Sequence, residues 1–71
     1  MLLIWCHERK KWWKPHKIGY TTNILEAGRY SEDEAQTIIE RANLFKLEET
    51  IVPELHASDF QFKMQLKKDV H

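Results

Sequence analysis

The 71-residue chain has one cysteine, two glycines, two prolines and no excess of either charge. A single thiol, Cys6, excludes an internal disulfide framework and any zinc site built from several thiolates. No Gly/Ser-rich or Pro-rich stretch divides the chain, and no segment repeats, so one small domain is expected. No apolar run approaches the roughly 20 residues of a membrane-spanning helix. The apolar opening, Leu2 to Cys6, is shorter than the roughly 7–15 residues of a signal-peptide core, and no basic residue precedes it. A cytoplasmic protein is the expectation. Neither GxGxxG nor GxxxxGK[ST] occurs, so nothing marks a phosphate-cradling loop.

What is present suits a globular fold. Hydrophobic residues make up 42% and charged residues 31%, with three Trp, two Tyr and three Phe to bury. A domain of this size buries only about 60% of its unfolded surface, so contact with a partner or a second copy would add stability. The balanced charge is unevenly spread. Residues 1–30 carry six cations against two anions, residues 31–59 two against eight, and residues 60–71 three against one. Such a chain can pair its own halves or present one charged face to a partner.

The periodicities predict a small α+β domain over residues 1–66, with 67–71 a frayed tail. Leu2–Cys6 and Trp12–Lys14 read as a first β-hairpin, ended by Pro15, which has no N–H for a ladder. A short helical turn is expected at about 22–27, with Thr22 or Asn23 as cap and Gly28 just beyond it. Ser31 and Glu34 form a capping box, and three acids suit the first helical turn. Ala35, Ile38, Ile39, Ala42 and Phe45 then mark the inner face of a helix over about 32–44. Tyr30 is placed to staple onto Ala35. Residues 46–49 read as a loop. Thr50–Val52, followed by Pro53, suits an edge strand. Alternation over Phe60–Leu66 favours a last strand, although Phe60/Met64 and Phe62/Leu66 are also i,i+4 pairs. The expected architecture is two layers, an antiparallel sheet of three or four strands packed by one main amphipathic helix.

Chemistry is sparse. Cys6, His7, His16, His56 and His71 lack the paired spacings of a metal site, and no metal or cofactor is implied. Cys6 lies in the most apolar segment, where burial makes a thiol inert, so no catalytic residue is assigned and an enzyme is not expected. One stretch interleaves cations with aromatics. Within it Lys11, Trp12, Trp13, Lys14, His16, Lys17 and Tyr20 are the candidate partner-binding residues. Trp and Tyr dominate protein–protein hot spots, and the same residue types can stack on unpaired bases. Adjacent strand residues face opposite sides. If 12–14 is extended, Trp12 and Trp13 cannot share one core, and one of them faces outward or lies under another segment.

The strings Trp12-Trp13-Lys14-Pro15, Gly19-Tyr20-Thr21, Asn23-Ile24, Ala27-Gly28-Arg29-Tyr30-Ser31 and Glu34-Ala35, with Ile38 beyond, carry a resemblance. Over residues 2–53 the chain resembles small, mostly uncharacterised proteins encoded by bacteriophages and prophages. That resemblance implies a bacterial host cytoplasm and an accessory role, such as modulating a host enzyme or a defence system. It supplies no catalytic residue.

The expected function is therefore non-enzymatic binding of a host or phage protein. Trp12 or Trp13 would be the aromatic anchor, the hairpin lysines would steer, and the acidic helix would meet a basic surface or a second copy. The alternative is a single-stranded nucleic-acid module using Lys11, Trp12, Lys14, Lys17 and Tyr20. Zero net charge makes nucleic acid the less favoured partner. A homodimer is compatible with the size of the chain, and no membrane partner is expected.

Overall fold

A computed structural model describes residues 1–44 and 49–68. Strand β1 (Leu2–Cys6) turns through residues 7–10 into β2 (Lys11–Trp13). A short 3-10 turn at Pro15–Lys17 leads to β3 (Tyr20–Thr21), and another at Ile24–Glu26 leads towards helix α1 (Glu32–Leu44). Strand β4 (Glu49–Pro53) follows, then a 3-10 turn (Glu54–His56) and helix α2 (Ala57–Lys68). The four strands form one antiparallel sheet in the order β3-β2-β1-β4. The α+β class, the hairpin, the edge strand and helix 32–44 are as the sequence led us to expect.

Register separates the sheet into two apolar faces. Trp5 lies opposite Trp12 and Thr50, and Leu3 opposite Val52. Leu3, Trp5, Trp12 and Val52 point to one face and pack with Ala57, Phe60 and Met64 of α2. Leu2, Ile4, Trp13 and Ile51 point to the other and pack with Tyr30 and with Ala35, Ile38 and Ile39 of α1. The sheet therefore carries a helix on each face, where one helix over one face was expected. This explains why four consecutive residues of β1, Leu3 to Cys6, are buried: a strand covered on both sides has no solvent face to make polar.

Residues 60–66 are helical, not a strand. Their alternation is two interleaved i,i+4 pairs. Phe60 and Met64 turn to the sheet, while Phe62 and Leu66 lie on the exposed side. Burial of the Trp5–Trp12 face decides the outcome, because a helix covers two large indoles where one added strand would not. Gln61 fastens the contact: its carbonyl accepts from the Trp12 indole N–H at 3.0 Å, and its amide donates to the Thr22 carbonyl at 2.8 Å. The helix continues through Lys68, past the tail expected from 67, and residues 69–71 lie outside the described residues. So does Phe45, expected on the inner face of α1, and so do 46–48 of the expected loop. Glu49 belongs to β4.

Two smaller expectations also change. Residues 20–21 add a short strand, and this supplies the fourth member of the sheet. Asn23 does cap the 24–26 turn, accepting from the Leu25 N–H at 2.9 Å. Gly28 is not a left-handed helix stop; its role is the close approach of the Tyr30 ring described below. No helix among the described residues is long and apolar enough to cross a membrane.

The capping box at α1 is formed. The Glu34 N–H donates to Ser31 Oγ and the Ser31 N–H donates to Glu34 Oε1, both at 3.2 Å. The Ser31 backbone N–H, with help from its hydroxyl, holds the Glu34 carboxyl below its ordinary range. A depressed carboxylate stabilises the fold above its unfolded pKa of about 4.3 and loses that contribution as pH falls through the folded value. Replacing Ser31 with alanine should cost about 1 kcal/mol in urea melts. Replacing Glu34 with glutamine should flatten the acid limb of the stability–pH profile below about pH 4.

Candidate functional site

The two adjacent indoles do diverge. Trp12 is fully buried and its N–H is bonded to Gln61, so its ring offers nothing to a partner. This removes Trp12 from the expected anchor pair and from the expected base-stacking set. Trp13 is half-buried on the opposite face. It packs edge-on against Tyr20, its cross-strand neighbour, with ring centroids 5.9 Å apart. Its indole N–H donates to Glu49 Oε2 on β4. The one polar group of this ring is thus already satisfied inside the protein, and the rest of it is available only for apolar contact.

Trp13 and Tyr20 form one wall of a groove of about 220 Å3 between the β2–β3 edge and α1. Thr37, Ile38 and Ala42 form the other wall, and Lys17 and Arg41 bring cations to it. Among the described residues neither cation makes an ion pair; the ion pair present there is Arg29–Glu54, at 3.0 Å. A third cation, the Arg9 guanidinium, lies 4.7 Å from the centre of the Tyr20 ring. An aromatic and aliphatic cleft with cations at its rim suits an apolar side chain flanked by acidic groups.

The loop that carries Lys17 is held by one buried phenol. His16 and Lys17 both have φ of 60°, left-handed values that cost a non-glycine residue about 1 kcal/mol or more. Gly19, at φ 80°, takes up the return without that penalty. The Lys14 N–H donates to the Gly19 carbonyl at 3.0 Å, closing the loop. The Tyr30 hydroxyl accepts from the Lys17 N–H at 3.1 Å and donates to the Lys14 carbonyl. Burial raises the pKa of this phenol, which keeps it protonated and able to donate. The strained pair is thereby pinned from below, and Lys17 is kept at the groove.

Of the candidate residues, Trp13, Lys17 and Tyr20 meet in the groove. Lys11, Lys14 and His16 are exposed and lie outside its lining. Arg9, Thr37, Ile38, Arg41 and Ala42 are not among the residues that the sequence singles out for the site. The helical ones recur at 37, 38, 41 and 42, a pattern legible as one face of α1 but not as the far wall of a cleft.

Elsewhere the chemistry is quiet. Cys6 is buried, and its thiol is pushed up by that burial, with the nearby Glu49 adding to the effect. His7 shares a 2.7 Å hydrogen bond with the Thr50 hydroxyl. Among the described residues no three His, Cys, Asp or Glu side chains are grouped as a metal site would need.

Fold and groove together define a small α+β domain with a cation-rimmed aromatic cleft at one sheet edge. No protein-family model, curated protein or solved structure matches the chain.

Proposed function

We propose that the protein is a non-enzymatic interaction module that binds another protein through the Trp13–Tyr20 groove. The observation that carries this reading is Trp13 itself: a large, half-buried ring with its N–H satisfied internally and, among the described residues, two cations outside any ion pair beside it. Its partner would insert an apolar side chain and place carboxylates near Lys17 and Arg41. The resemblance over residues 2–53 to phage and prophage proteins supports an accessory role in a bacterial host, with a host enzyme or defence protein as the partner class.

Affinity capture from a bacterial lysate, followed by titration of the recovered protein, tests the reading. Trp13→Ala should weaken binding about 30-fold or more, as expected for a hot spot worth about 2 kcal/mol. Arg41→Glu should slow association and reduce its salt dependence. Binding unchanged by both variants rejects the groove. The single-stranded nucleic-acid alternative is separated by an oligonucleotide titration of Trp emission at low salt. Quenching that Trp13→Phe abolishes and that salt reverses steeply would favour it instead.

A further inference from the structure

We propose that the protein forms a two-fold symmetric dimer through the free edge of β4, joining two sheets into one of eight strands. Among the described residues the edge is open, because β4 is terminal in the strand order. The opposite edge, β3, has two residues against five in β4 and offers little to pair with.

The register fixes which groups face outward. Residues of β1 and β4 pair so that Leu3 opposes Val52 and Trp5 opposes Thr50. The Glu54 N–H donates to the Met1 carbonyl at 3.0 Å. Hydrogen-bonded pairs alternate along an antiparallel ladder, so Val52 and Thr50 also direct their backbone groups to β1. Ile51 and Glu49 then direct theirs away from the sheet. Pro53, in the same phase, has no N–H to leave unpaired and presents only its carbonyl outward.

A second copy fits this pattern. With the two-fold axis at Ile51, each Ile51 N–H meets the carbonyl of the other Ile51. Each Glu49 N–H meets the other copy's Pro53 carbonyl. Every outward donor of the edge is used, and the ladder ends where proline ends it.

The charges beside the edge are self-complementary as well. A groove of about 320 Å3 runs along β4, lined on the α2 side by His56, Asp59, Phe60 and Lys63. Asp59 and Lys63 are one helical turn apart, and among the described residues neither is in an ion pair. The axis that inverts β4 also inverts α2, so the Asp59-to-Lys63 order beside one edge runs opposite to that of the other copy. An unrelated strand would have to supply this charge order independently, and the second copy has it already.

Sedimentation velocity of the full chain from low micromolar to millimolar concentration is the test. The expected result is a concentration-dependent dimer. Ile51→Pro deletes the outward N–H without touching the bonds to β1, and should raise the dimer dissociation constant about tenfold or more. Because proline can disturb a strand, a second arm uses exposed charges. Asp59→Lys and Lys63→Asp should each weaken the dimer, and the double variant D59K/K63D should restore it. A wild-type chain monomeric throughout overturns the proposal. So does a dimer indifferent to the charge exchange, or an edge that accepts an added peptide strand but no second copy.

Discussion

Replacing Trp12 with alanine should unfold a large fraction of the molecules, while Trp13→Ala should leave a folded protein. Truncating a fully buried aromatic costs about 3–5 kcal/mol, partly as transfer energy and partly as the cavity left behind. Trp12 is such a residue, at 0% exposure. Its ring contacts Trp5 at 4.9 Å and Phe60 at 5.9 Å between centroids, so two aromatic pairs are lost as well. Gln61 would also lose the donor for its carbonyl. The whole stability of a domain this size is about 4–10 kcal/mol. Trp13 is half-buried and packs at the margin of the other core, so the same truncation removes less apolar contact, although Glu49 then loses its indole donor. Urea unfolding followed by circular dichroism distinguishes the two. Equal midpoints for both variants would contradict the assignment of one indole to the interior and the other to the groove.

The second large effect is expected at Gly28. A Cβ built there meets the Tyr30 ring at 2.7 Å, and its Cζ and hydroxyl at 2.9 Å. The ring cannot retreat freely, because its hydroxyl is bonded on both sides, to Lys14 and Lys17. The backbone cannot retreat either, since the Gly28 N–H donates to the Trp13 carbonyl at 2.8 Å. Gly28→Ala should therefore cost about 1–3 kcal/mol, the range for overpacking a tight interior. The mechanism has its own signature. In a Tyr30→Phe background the ring is released from the loop and can shift, so the alanine should cost less than in the wild type. A double-mutant cycle reads that difference as a coupling energy, and strict additivity would show that the hydroxyl does not hold the ring in place.

The sequence was most informative where one local signal and one burial requirement agree. Ser31 to Ala42 combines a capping box with helical periodicity, and α1 begins and ends where those signals place it. The β1–β2 hairpin is legible for the same reason, a short apolar run followed by a charged turn. Phe60–Leu66 points to the wrong element because its alternation is compatible with both periods. The arbiter is the pair of indoles it covers, and that pairing is tertiary. The groove was half legible. Trp13, Lys17 and Tyr20 stand out in one stretch, but Arg41 and Ile38 are unremarkable helix residues until α1 is laid across the sheet. The position of Tyr30 marks it as a helix staple, while its hydroxyl contacts sixteen and thirteen residues back have no signature in composition or spacing.

One feature of the sheet bears on how the chain reaches this state. Strand β1 finds its longest pairing with β4, joining Leu2 to Pro53. Ribosomal synthesis delivers β1 well before its partner β4, with residues 7–48 between them. Until then Leu3, Ile4, Trp5 and Cys6 have neither a neighbouring strand on that side nor the α2 cover. Non-local pairing of this kind slows folding and leaves apolar segments open to aggregation meanwhile. The β4 side of β1 and the face that α2 covers are thus completed only once both β4 and α2 have been made.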